Sequence, residues 1–266
     1  MIHSIRLFFA FAKVSMLSQM EYRWIYVVRM LGKICTFGSS FVVLAIMMYR
    51  FETLGEWSAY EVLFLYALNT LTYAIGSTFA MPINGIGARI ESGLFDSMLT
   101  KPVNTMYLAL CKQASAGYVS NYALGIGVMV FAGVRMGLEV TAASIILLIF
   151  SIIGGVLIHM AAHIAIGTIS FWTIRGNAFS MIISNAFTFA NYPISIYRPA
   201  IQFVLTFILP VAFITFYPAG LFLDKTNESI FHPAIYYLSP VVGLICFAAA
   251  YLFWKRGINA YQSTGS

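Results

Sequence analysis

The chain has 266 residues, of which 61% are hydrophobic and only 9% charged, with a formal net charge of +6. Soluble domains carry about 25% charged residues, so this composition excludes an ordinary soluble domain and points to a protein whose solvent is largely lipid. The basic balance fits attraction to anionic headgroups and calls for no nucleic acid.

At the start of the chain Ile5, Phe8, Phe9, Ala12 and Met16 share one face at helical spacing, with Arg6, Lys13 and Ser18 elsewhere. This predicts an interfacial helix over 1–24 on the inner leaflet. Basic residues scattered through its apolar part, and the lack of an A-x-A-like site, argue against a cleaved signal peptide.

A helix needs about 20 mostly apolar residues to cross about 30 Å of hydrocarbon. Charge-free windows predict spans at 30–48, 62–82, 113–134, 142–170, 199–215 and 236–254. Arg29 and Lys33 lie at the mouth of the first, where long basic side chains reach the headgroups. The fourth window, Val140–Ile174, is too long for one upright span and must tilt or project.

Between the fourth and fifth spans, Asn177, Ser180, Ser184, Thr188, Asn191 and Ser195 recur at steps of three and four. Such a polar stripe marks 176–197 as an interfacial or cavity-lining helix. The alternative is a buried span whose small polar residues bond neighbouring helices. Cytoplasmic loops collect Lys and Arg, so the charges arbitrate. Six spans with both termini inside put 12 of the 15 Lys and Arg inside, leaving Arg50, Arg135 and Lys225 outside; seven spans give 10 and 5. Six spans are therefore expected, with Arg198 inside. Pro210 and Pro218 interrupt the next apolar stretch, which predicts an outer re-entrant turn over 213–223.

The intramembrane chemistry is sparse. His159 and His163 have metal-ligand spacing, but no Glu follows the first, and no carboxylate or Cys completes a site. The expectation is a neutral, hydrogen-bonded pair within the bundle or near the inner end of its helix. Cys35, Cys111 and Cys246 are widely separated and read as packing residues. No Ser-His-Asp or paired-carboxylate arrangement can be drawn from the spans. Ala123/Gly127, Gly133/Gly137 and Ser151/Gly155 have the small-residue spacing that lets helices approach.

The inner connection between the second and third spans carries the most specific signal. Arg89, Glu91, Asp96 and Lys101 place four of the chain's 24 charged side chains within thirteen residues. Ile90, Leu94, Phe95, Met98 and Leu99 fall between them on one side of a short helix, and Pro102 closes it. The spacing predicts an amphipathic helix with an exposed Phe95, suited to a groove on a soluble partner. Gly85 and Gly87 do not make a phosphate loop, since nothing here matches G-x-x-x-x-G-K-[ST].

Ile90-Glu91-Ser92-Gly93-Leu94-Phe95-Asp96-Ser97-Met98-Leu99-Thr100-Lys101-Pro102 resembles the G-x-F-D-x-x-L-x-x-P segment of ABC-2-type transporter permeases, and more narrowly a bacterial subgroup with six spans. Phe171-Trp172-Thr173, Tyr192-Pro193-Ile194-Ser195-Ile196-Tyr197, Leu209-Pro210-Val211-Ala212-Phe213 and Tyr217-Pro218-Ala219 are similar to further marks of that subgroup, in the same order. The resemblance implies an all-α membrane domain in the inner membrane with six spans and both termini cytoplasmic. It also implies an interfacial helix before the first span, a coupling helix in 84–104, and an outer re-entrant segment that includes Pro210, Tyr217 and Pro218. By position, Arg89, Glu91, Gly93, Phe95, Asp96, Leu99 and Lys101 belong to the coupling helix that docks on a separate ATPase. ATP and Mg would bind two copies of that ATPase, with no cofactor on this chain, and a second permease, identical or related, would complete the complex. Two readings from other classes stand beside it. An ion-coupled secondary transporter predicts a midplane acid that the sequence lacks, and a non-transporting scaffold predicts no substrate-dependent ATP turnover.

Overall fold

The computed structural model describes residues 23–50, 53–111, 118–139, 141–173 and 177–261. The expected interfacial helix over 1–24 falls outside them, save Arg23 and Trp24, which open the first helix.

Helix α1, Arg23–Arg50, contains the expected 30–48 window and is about 42 Å long at 1.5 Å per residue. A short antiparallel hairpin follows, β1 Thr53–Leu54 paired with β2 Trp57–Ser58. Gly55 takes φ +64° at its turn, a conformation that costs glycine nothing. Helix α2, Ala59–Ala80, starts where the Ser58 backbone N–H donates to the Glu61 carboxylate at 2.6 Å. It runs through a 3₁₀ turn, Met81–Gly85, into α3, Ile86–Glu91. Two short helices follow, α4 at Asp96–Leu99 and α5 at Thr105–Cys111. Helix α6 covers Val119–Arg135. Helix α7, Ala142–Ile169, is capped by reciprocal bonds between Thr141 and Ser144. Helix α8 is Asn177–Phe187, extended by 3₁₀ turns at Thr188–Asn191 and Ile194–Ile196. Helix α9, Pro199–Phe203, continues as a π-turn, Val204–Ile208. A 3₁₀ turn at Pro210–Phe213 and α10, Phe216–Phe222, lead to a 3₁₀ turn at Pro233–Tyr237 and the final helix α11, Ser239–Ala260.

Helix α2 is the axis of the bundle. Its apolar window is 78% buried, against 33% for α7 and 22% for α11. Helix α7 lies between α2 and α11, while α6 and α1 pack on the other side of α2. The outward faces carry Ile145, Ile149 and Ile153 on α7 and Leu244, Ile245 and Leu252 on α11, all exposed. An apolar exterior of this extent is unstable in water and natural in lipid. Among the described residues three helices are long and apolar enough to cross a membrane. A fourth crossing is counted if the bent pair Pro199–Ile208 and Pro210–Phe222 is taken as one, and the apolar stretches of α1 and α6 are shorter.

Helices α7 and α11 meet backbone to backbone. A Cβ added to Gly154 would sit 2.5 Å from the Ser239 carbonyl oxygen, and one on Gly243 2.6 Å from that of Gly154. Of the small-residue pairs singled out from spacing, Ser151/Gly155 lies on a contact face, with the Gly155 Cβ position 2.9 Å from Thr72. Gly127 and Gly137 face open space, so those pairs bring no helices together among the described residues.

The chain between α7 and α11 departs from the expected course. Phe187 packs at a tilt on His159 of α7 with ring centroids 4.8 Å apart, and Asn191 meets Asn69 of α2 at 2.7 Å. Ile196 then touches Gly55 of the β-hairpin at 3.7 Å from its Cβ position. Residues 177–197 thus traverse the bundle from the end bearing the α3–α5 segment to the end bearing the hairpin. Arg198 therefore stands at the hairpin end with Arg50 and Lys225, not with Arg89 and Lys101 as the charge count suggested. The expected straight span 199–215 is corrected too. The chain bends by 71° at Leu209-Pro210. Ile214 reaches mid-depth against Gly155, and Thr215 Oγ1 donates to the Ala190 carbonyl at 2.7 Å. Helix α10 then returns to the hairpin end, where Lys225 pairs with Glu61 at 3.0 Å. Residues 199–222 form one re-entrant excursion, wider than the 213–223 expected.

Candidate functional site

The segment after α2 is built from two short helices set against the ends of α7 and α11. Helix α3 stops at Glu91, and Gly93, with φ +69°, turns the chain before α4 begins at Asp96. The expected single amphipathic helix carrying Ile90, Leu94, Phe95, Met98 and Leu99 is therefore broken in the middle. The break points the Phe95 ring inward, and the expectation of an exposed Phe95 is corrected: it is 0% exposed. Its ring lies 5.2 Å from Phe171 and 5.0 Å from Tyr261, both edge to face, and Phe171 packs on Trp254 at 5.1 Å. Burying a phenylalanine against two aromatic rings is the stable solution once the turn at Gly93 permits it. Asp96 is half-buried and accepts a hydrogen bond from the Tyr261 hydroxyl at 2.9 Å.

What remains outward is a mixed ridge. Glu91, Leu94, Leu99 and Lys101 are exposed, and Pro102 and Val103 continue it. Arg89 is half-buried, and its Nη1 is enclosed with no hydrogen-bond partner among the described residues. The ridge therefore exposes one carboxylate, one ammonium and two leucines, while Phe95 and Asp96 fasten the segment to α7 and α11. Sequence spacing identified the segment; it could not reveal Phe171, Trp254 and Tyr261 as its floor.

Deeper in the bundle a polar network joins α2, α7 and the 177–191 run. His159 Nε2 meets Asn69 Oδ1 at 3.2 Å, and Asn69 Nδ2 donates to Asn191 Oδ1 at 2.7 Å. His163 contacts Ser77 Oγ through Nε2 at 3.0 Å and Asn84 Nδ2 through Nδ1 at 3.2 Å. An amide oxygen can only accept and an amide nitrogen only donate, so these contacts place one proton on Nε2 of each ring. His163 thus has the one-donor, one-acceptor pattern of the neutral form, and His159 donates through Nε2 to Asn69. Among the described residues no group of three His, Cys, Asp or Glu could hold a metal. Ser184, Thr188 and Asn191 of the polar stripe line a cavity of about 340 Å³ beside this network.

At the hairpin end, Pro210 sits at the bend of the re-entrant excursion, and Tyr217 and Pro218 are buried in its returning helix. The two arms are tied by Thr206 and Tyr217, whose hydroxyls are 2.9 Å apart. Tyr217 also packs edge-on against Tyr236 at 5.0 Å. Lys225 staples this cap to the hairpin through Glu61 and the Glu56 carbonyl, and it pairs with Glu228 at 3.5 Å.

A helical bundle with an apolar exterior, a polar interior and a short exposed ridge at one end has the make-up of an integral membrane protein. The chain matches the family described as ABC-2 family transporter protein over residues 34–265, and it belongs to that family. Comparison with curated proteins and with solved structures gives no match. The family supplies the membrane permease component of ABC transporters and generally works with an ATPase partner.

Proposed function

We infer that the chain is the permease subunit of an ATP-driven exporter in the bacterial inner membrane, with ATP and Mg held by two copies of a separate ATPase. A second permease, identical or related, completes the complex, and the substrate is amphiphilic, lipid-like, peptide or drug-like. The observation that carries this reading is the family match, joined to the exposed ridge of Glu91, Leu94, Leu99 and Lys101 between α2 and α6. Six traverses of the bundle support a six-span topology: α1, α2, α6, α7, residues 177–197 and α11. Arg23 and Tyr261 then lie at the ridge end, on the cytoplasmic side. ATP-driven closure of the ATPase pair pushes the ridge. Because Phe95 is clasped by Phe171 and Tyr261, the push reaches α7 and α11 as well as α2. Such a cycle requires ATP to favour one arrangement of the spans over the other.

The test is a pull-down of the tagged chain from its native membrane, with vanadate-sensitive ATPase activity assayed on the eluate. Reversing the ridge charge with Glu91→Lys, or releasing the segment from Tyr261 with Asp96→Lys, is expected to abolish co-purification of the ATPase while the variant still inserts. A chain that comes out alone, or a Glu91→Lys variant that retains full ATPase activity, overturns the docking assignment.

A further inference from the structure

The cavity of about 340 Å³ lies between α1, α2, α7 and the 177–191 run. Polar groups at such depth are costly and mark functional sites in membrane proteins. Its wall has an uncommon hydrogen-bonding polarity. Thr36 Oγ1 donates to Gly32 O at 2.9 Å, Ser40 Oγ to Thr36 O at 3.2 Å, and Thr70 Oγ1 to Tyr66 O at 2.9 Å. Tyr66 donates to Phe37 O at 2.7 Å, Ser184 to Ser180 O at 2.7 Å and Thr188 to Asn185 O at 2.6 Å. A carbonyl cannot donate, so each of these six hydroxyls has spent its only proton on the backbone. Each oxygen still has acceptor capacity on the cavity side. The Asn69 amide nitrogen has likewise committed its donors, to Asn191 Oδ1 at 2.7 Å and to the Phe187 carbonyl at 3.5 Å.

The wall is therefore rich in acceptors, with donors left on the Asn185 and Asn191 amides and the Tyr73 hydroxyl, a mixture that suits a ligand whose hydroxyls both donate and accept. Among its lining residues there is no Asp, Glu, Lys or Arg. A charged ligand would sit there without a counter-charge, at a high desolvation cost. A cation is disfavoured further by Lys33, whose ammonium lies 3.1 Å from the centre of the Tyr118 ring. That ring in turn touches Tyr73 of the cavity wall at 6.0 Å. Phe37, Tyr66, Tyr73 and Phe187 supply flat apolar surface beside the acceptors. The volume is at the low end for ligand pockets, enough for a headgroup rather than a whole lipid.

We propose that this cavity binds the uncharged, hydroxyl-rich headgroup of an amphiphile, a glycosyl or polyol group that donates hydrogen bonds to the wall. Its place in transport rests on the permease reading; the binding itself does not. The experiment uses the full chain in lipid nanodiscs, with Cys35, Cys111 and Cys246 replaced by Ser and a bimane label on Ile183→Cys at the cavity wall. The probes are octyl β-D-glucoside, its permethylated analogue, which accepts but cannot donate, and octyltrimethylammonium. The glucoside is expected to give a saturable fluorescence change at a concentration at least about tenfold below that of the permethylated analogue. Thr36→Val combined with Ser184→Ala removes two acceptors and is expected to weaken the glucoside response by about tenfold or more. A glucoside response that does not saturate, equal responses to the glucoside and its methylated analogue, or tighter binding of the ammonium compound overturns the proposal. No ATPase is present in this assay, so its failure leaves the docking result intact, and a failed pull-down leaves the binding result intact.

Discussion

Removing the Phe95 ring tests whether the docking segment is held by aromatic packing or by its own helices. The ring is fully buried and contacts Phe171 and Tyr261 at 5.2 and 5.0 Å. Truncating a buried Phe to Ala costs about 3–5 kcal/mol, of which each edge-to-face pair accounts for about 0.5–1.5 kcal/mol. The segment between Gly93 and Thr100 is short, so this cost falls on its local opening rather than on the whole bundle. At about 3 kcal/mol, with a factor of ten for each 1.4 kcal/mol, opening becomes about 100-fold more frequent. The readout is amide hydrogen exchange in nanodiscs at Phe95, Met98 and Leu99. The Phe95 N–H donates to Arg89 O at 3.0 Å, and the Phe95 carbonyl accepts from Met98 and Leu99 at 2.9 and 3.2 Å. Phe95→Ala is expected to speed exchange at all three amides by about 100-fold or more, with α2 and α7 unchanged. Tyr261→Phe keeps the ring and removes only the hydroxyl bonded to Asp96, a loss of about 1.5 kcal/mol or roughly tenfold. If Phe95→Ala shifts these amides by less than fivefold, or no more than Tyr261→Phe does, the aromatic clasp is not what holds the segment.

Two further perturbations address the rest of the frame. Gly243→Val places a side chain in the backbone contact with Gly154 and is expected to lower stability by about 1–3 kcal/mol or more. Thermal unfolding in detergent reads this, with Gly127→Ala, which faces open space, as the neutral comparison. Lys225→Met leaves Glu61 and Glu228 facing each other without their shared cation. Because the pairs are partly buried, the expected loss is about 1–3 kcal/mol, between the values for exposed and buried pairs. The same unfolding measurement should show part of it recovered when Glu61→Gln is added.

The parts of this fold legible in the sequence are those whose signal is local. A charge-free window records how one helix meets lipid, so α2, α6, α7 and α11 overlap the expected windows to within a few residues at most ends. The traverse by 177–197 was hidden because its polar side is satisfied by residues far away in the chain. Asn191 looks too polar for a span until Asn69 and His159 are seen opposite it. Residues 199–215 looked like a span because they are apolar, although Pro210 bends them back at mid-depth. The charge rule could not separate the two courses. Exchanging which window crosses moves only Arg198, changing 12 and 3 to 11 and 4 among the 15 Lys and Arg, and it leaves the chain ends on the same side. The docking segment shows the same division. Its charges, its glycine and its closing proline are local and were read in place, whereas the side of the helix taken by Phe95 depends on Phe171 and Tyr261. Apolar spacing establishes that a face exists, and only the elements packed against it decide whether that face meets a partner or the chain's own core. For Phe95 the core prevails, because the φ +69° turn at Gly93 lets its ring reach Phe171 and Tyr261. Leu94 and Leu99 stay exposed.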